Sequence, residues 1–135
     1  MELPATLLQA SQTLLEDWAN QAGEIELPGA ISAQIPMVFA CSEYVARQCI
    51  RHPQRFAELV TSGDLQRKYA ADEYQQQLQR HDALLHNEEG LIKFLRQFRQ
   101  REMVRIIWRD LTGLSDLAEV MYDLSKLADA CTPPH

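Results

Sequence analysis

Lys93, Arg96, Arg99, Arg101, Arg105 and Arg109 crowd one short stretch of this chain, and Glu102 is the only carboxylate among them. Two chemistries are open to such a set. Spaced guanidinium groups can receive a phosphate or an acidic partner, because their planar donor forks match either anion. They can also be consumed inside a helical bundle. Arg99 and Arg105 lie one turn either side of Glu102 and Arg109 two turns beyond it, so an internal ion-pair network of Arg99, Glu102, Arg105 and Arg109 is within reach. The intervening residues favour the internal network. Leu91, Leu95, Phe98 and Ile106 recur at helical spacing with Glu102 in their stripe, and Met103, Val104, Ile106, Ile107 and Trp108 make the second half of the run apolar nearly all round. The pattern predicts a central helix in which Glu102 is at least partly buried and paired with Arg99, Arg105 or Arg109.

Other reactive constellations are missing from the sequence. Five scattered glycines supply neither G-x-G-x-x-G nor G-x-x-x-x-G-K-[ST], the loops that cradle nucleotide phosphates. There is no H-E-x-x-H, no EF-hand loop, and no D-x-D pair of the kind that holds magnesium against substrate phosphates. His52, His81, His86 and His135 are too dispersed for a metal cluster and are expected as exposed or capping residues. Cys41, Cys49 and Cys131 form no C-x-x-C and are expected as buried, reduced thiols. The residues themselves therefore offer no catalytic, cofactor-binding or metal site.

Charge is segregated. The net charge is -6, and Met1 to Ala40 carries Glu2, Glu16, Asp17, Glu24 and Glu26 with no Lys or Arg. An acidic remainder facing one basic helix points to an internal or partner-facing contact and argues against nucleic-acid binding. No apolar run approaches the roughly 20 residues of a bilayer span, and the start lacks a basic, then apolar leader, so the expectation is a soluble cytoplasmic protein with no membrane association.

The elements that must position the basic helix are also helical. Pro4 opens and Gly23 closes a first helix with Leu7, Leu8, Leu14, Leu15 and Trp18 on one stripe. Gly23 to Pro36 is expected as a loop, because Pro28 and Gly29 interrupt a short alternation. Ser42 caps the next helix, Pro53 separates it from another, and Ser62-Gly63-Asp64 ends that one. Asp72 to His86 is expected as a solvent-covered helix, and Asn87 as the cap of the arginine-rich helix. Thr112-Gly113 breaks it, and Ser115 starts a last helix with a regular stripe from Leu117 to Cys131. The prediction is a single all-α domain over residues 1–135, an irregular helical bundle of about five or six helices. Residues 1–31 form an N-terminal helix and loop, 32–131 the body and 132–135 a tail.

The segments CSEYVARQCIRHPQRFAEL (Cys41 to Leu59), GLIKFLRQFRQREMVRIIWRDLTGL (Gly90 to Leu114) and DLAEVMYDLSKLADAC (Asp116 to Cys131) resemble, in order and spacing, the N-terminal region of the bifunctional glutamine synthetase adenylyltransferase/adenylyl-removing enzymes. The resemblance covers Ser32 to Cys131. It implies a part of a bacterial enzyme that attaches AMP to glutamine synthetase and removes it by phosphorolysis, under control of glutamine and PII-like proteins. In that family such helices precede a nucleotidyltransferase domain with a G-G-x-E-L-N-F-S-S-D-x-D signature, which would use ATP and magnesium. None of that signature is in this chain, so no catalytic residue carries over. The implied partners are the missing catalytic domain in cis, glutamine synthetase and a PII-like protein. A piece of a longer polypeptide, a truncated gene product and a degenerate relative all fit the Thr132-Pro133-Pro134-His135 ending. The alternative from another class is a free-standing helical interaction protein that binds glutamine synthetase or a PII-like regulator. If a catalytic domain normally covers these helices, an apolar surface should remain around Val120, Met121, Leu127 and Trp108, and a homodimer is expected.

Overall fold

The computed structural model describes residues 5–82 and 88–131. Among these the chain is all-α, with seven helices and one 3-10 turn: α1 Ala5–Ala22, α2 Gly29–Cys41, α3 Glu43–Arg51, α4 Pro53–Thr61, the turn Asp64–Gln66, α5 Glu73–Asp82, α6 Glu88–Leu111 and α7 Leu117–Cys131. The count is slightly above the expected five or six. The Asn87 cap, His86 and the tail lie outside the described residues, as do the side chains of Leu7, Leu8 and His81.

The additional helix is α2, which occupies much of the expected loop. Pro28 and Gly29 mark its start and not the middle of a turn: the Pro28 carbonyl accepts from the Ile31 and Ser32 amides, both at 3.0 Å. Ile31, Ile35, Val38 and Phe39 then fall on one buried face at helical spacing, and this burial holds the helix despite Pro36 inside it. Elsewhere the local signals act as expected. Ser42 accepts from the Val45 amide at 3.2 Å, Pro53 opens α4 directly after His52, and Gly23, Gly63 and Gly113 take the positive φ that ends a helix. Asp116, and not Ser115, caps α7, its carboxylate accepting from the Glu119 amide at 2.8 Å.

Two buried clusters meet on α6. The first is apolar and joins α2, α3, α4 and α6 through Val38, Phe39, Val45, Phe56 and Trp108, with Leu14, Leu15 and Trp18 of α1 packed against it. Trp108 is 0% exposed, edged by Phe56 at 5.1 Å between ring centroids, and its indole N–H donates to Gln34 at 3.0 Å. The bundle thus encloses the ring that was expected at its surface. The second cluster, Tyr69, Tyr74, Phe98, Ile106 and Leu127, joins α5, α6 and α7. Tyr74 and Glu73 are buried, so α5 is solvent-covered only on its Gln75, Gln76, Gln79 and Arg80 side. Of the cysteines only Cys49 is buried; Cys131 is half-buried and Cys41 exposed.

Candidate functional site

Arg101, Arg105 and Arg109 follow one another at intervals of four residues, which places them on one face of α6. That face looks onto the 3-10 turn. Arg105 donates to the Asp64 carbonyl at 2.9 Å and to the Arg67 carbonyl, and Arg109 donates to the Leu65 carbonyl at 3.2 Å. The Leu65 and Arg67 carbonyls belong to backbone that leaves the helical register, and the Asp64 carbonyl closes the 3-10 turn with the Arg67 amide at 3.3 Å. Guanidinium groups supply donors in a fixed fork and satisfy them.

Carboxylates balance the charge. Arg101 pairs with Asp64 at 2.8 Å, with Glu58 at 2.9 Å and with Glu102. Arg105, 0% exposed, sits 3.8 Å from Asp123 and 3.4 Å over the Tyr69 ring. The Tyr74 hydroxyl stands between them, accepting from Arg105 at 3.3 Å and donating to Asp123 at 3.1 Å. Arg109 pairs with Glu119 of α7 at 3.0 Å. The comb therefore ties α6 to α4, the 3-10 turn, α5 and α7 at once.

Glu102 is 0% exposed, so its expected burial holds, and its ion-pair partner is Arg101, which also donates to the Tyr69 hydroxyl at 3.4 Å. Neither Arg105 nor Arg109 pairs with it, and Arg99 points elsewhere: it is exposed and enters no ion pair among the described residues. The correction has a helical reason. Residues one turn from Glu102 share its side of the cylinder, but the carbonyls and carboxylates that attract Arg105 and Arg109 come from other elements, and these lie around the 101–105–109 line. The Oε1 atom of Glu102 is buried without a hydrogen-bond partner among the described residues. Burial pushes the Glu102 carboxyl above its ordinary range, against the opposing pull of Arg101 and Tyr69. Asp123 is likewise pushed up by burial against Arg105. Asp64 goes the other way: burial raises it, but bonds from Arg101 and Arg67 outweigh that and hold it low.

Asp64, Asp123, Glu119, Tyr69 and Tyr74 were not singled out from the sequence. Nor was Arg101 among the expected ion-pair residues, which were Arg99, Glu102, Arg105 and Arg109; the partners are set by tertiary contact. No group of three His, Cys, Asp or Glu able to hold a metal occurs among the described residues, and no helix among them is long and apolar enough to cross a membrane. Beside the comb lies an open cleft of about 550 Å³, whose wall includes Arg55, Arg67, Arg80 and Arg101 together with Glu58 and Asp64.

Fold and comb together define a helical packing module whose central helix is fastened by buried arginines. Residues 32–133 match the family model of glutamate-ammonia ligase adenylyltransferase, and the chain belongs to that family. The bifunctional glutamine synthetase adenylyltransferase/adenylyl-removing enzyme of Nitrosococcus oceani is 46% identical over 95 residues, covering 70% of this chain and 10% of the relative. That of Pseudomonas aeruginosa is 38% identical over 140 residues, covering 96% of this chain and 14% of the relative. The Pseudomonas putida enzyme is 36% identical over 135 residues, with the same two shares, 96% and 14%. The chain thus spans between a tenth and a seventh of the length of these relatives. No solved structure gave a match.

Proposed function

We propose that this chain is the helical segment of a glutamine synthetase adenylyltransferase/adenylyl-removing system, supporting a nucleotidyltransferase domain carried elsewhere in the longer polypeptide. The observation that carries the reading is the match of residues 32–133 to a family whose similar members are many times longer. The comb supports it, because Arg101, Arg105 and Arg109 are committed to backbone carbonyls and carboxylates of the bundle itself. On this reading ATP and magnesium belong to the catalytic domain. Glutamine synthetase and a PII-like regulator are partners of the whole assembly, which works in the cytoplasm.

The chain by itself neither adenylylates glutamine synthetase nor removes AMP from it. The assay is release of ADP from adenylylated glutamine synthetase with phosphate and magnesium, and turnover that copurifies with this chain alone would overturn the reading. A homodimer through the outer side of α7 follows from the same proposal. Leu117 and Met121 are 75% and 60% exposed and lie one turn apart. Val120 is half-buried and Leu127 buried, so the free apolar surface is narrower than the residues predicted for it. Light scattering over a concentration series should show association that Leu117→Ser abolishes; a monomer throughout would remove the dimer from the account.

A further inference from the structure

The comb leaves out three basic residues of α6, Lys93, Arg96 and Arg99, of which Arg96 and Arg99 stand beside depressions in the surface. Both are exposed, and neither enters an ion pair among the described residues. Arg99 and Met103 line two depressions of about 320 and 340 Å³, one running toward Tyr44 of α3 and lined also by Arg96, the other running toward Leu124 and Cys131 of α7. The two adjoin at Arg99 and Met103, and the surface they form along α6, bordered by Tyr44 on one side and α7 on the other, is here called the groove. The lining positions on α6 run from Arg96 to Ile107 at helical spacing, a length of roughly 16 Å, or three helical turns. No carboxylate lines either half. In a chain of net charge -6 this is a locally cationic strip over an apolar floor.

The shape selects the ligand. An extended peptide gains affinity by adding to a sheet edge, and the described residues contain no strand to offer one. A helix satisfies its own backbone and needs only an apolar stripe plus complementary charge. Arg96 and Arg99 are one turn apart, the spacing at which two carboxylates on a single helix face can meet them. We propose that the groove docks an acidic amphipathic helix of a partner protein, with its apolar stripe on Met103 and Leu124 and its carboxylates on Arg96 and Arg99. The arginine that failed to join the internal network thereby has an external role.

The test uses a displayed library of helix-forming peptides with randomised surface positions, panned on the full chain. Selected peptides should carry acidic residues flanking an apolar stripe and compete with one another. The double variant Arg96→Glu/Arg99→Glu should bind them about tenfold more weakly while its circular dichroism is unchanged, since two exposed pairs are replaced by repulsive contacts. Peptides with lysine in place of their acidic residues should recover binding to that variant. A library that yields no binder, binders without acidic enrichment, equal affinity for parent and variant, or capture of a single-stranded oligonucleotide in place of acidic peptides would each overturn the proposal. This outcome is independent of the turnover assay.

Discussion

Trp108 and Arg105 lie less than a turn apart on α6 and are both fully buried, yet the interiors they enter differ in kind. Around Trp108 the neighbours are Phe39, Phe56, Val38 and their like, held by area removed from water and by close packing. Around Arg105 the interior contains Asp123, Tyr74, Tyr69 and the carbonyls of Asp64 and Arg67, where each polar atom depends on a partner. The two regions therefore tolerate change differently. An apolar cluster loses energy in proportion to what is removed, whereas a polar one loses it when a partner is stranded.

The largest loss in the apolar region is expected for Trp108→Ala, about 3 to 5 kcal/mol, measured as the fall in urea-unfolding free energy. Trp108→Phe should cost much less, because it keeps a ring against Phe56 and gives up the bond to Gln34. If the two variants unfold alike, the indole's bulk is not what fills the site. In the polar region Tyr74→Phe removes one hydroxyl and almost no volume, and should still cost roughly 1 to 3 kcal/mol by leaving Asp123 and Arg105 without their bridge. A midpoint equal to the parent's would make the second cluster behave like the first.

Glu102 gives a smaller, pH-dependent effect. Its folded carboxyl is raised above the ordinary 4.5, so the protonated form is the one the fold favours. That contribution is fully present below pH 4.5 and is lost as pH rises through the raised folded value. Glu102→Gln, which keeps the shape without the ionisation, should therefore gain stability relative to the parent as pH increases across that window. A constant difference at all pH values would mean that Glu102 titrates normally. Removal of Glu102 strands no cation, because Arg101 retains Asp64 and Glu58.

The same contrast explains what the sequence made legible. Local chemistry was readable: Ser42, Pro53, Gly63 and Gly113 set helix ends without help from the rest of the chain. Helix α2 was not, because Pro28, Gly29 and Pro36 are loop signals that a buried face overrides. The burial of Glu102 was legible from its place between Phe98 and Ile106. Its partner was not, since Arg101, Arg105 and Arg109 are steered by Asp64, Tyr74, Asp123 and Glu119 from elsewhere in the chain. Trp108 was misplaced for a similar reason: Phe56 and Gln34, which enclose it, are far away in sequence.

The arginines of α6 are divided, with one line fastening the bundle and the other left for solvent or a partner. Urea unfolding of Arg105→Ala and Arg99→Ala side by side separates the two lines. Removal of Arg105 takes the cation from beside buried Asp123 and the guanidinium donor from two backbone carbonyls, and should cost about 3 to 5 kcal/mol. Removal of Arg99 should change the unfolding free energy by less than about 0.5 kcal/mol, as for an exposed surface residue. Equal losses for the two variants, or a larger loss for Arg99→Ala, would contradict the division.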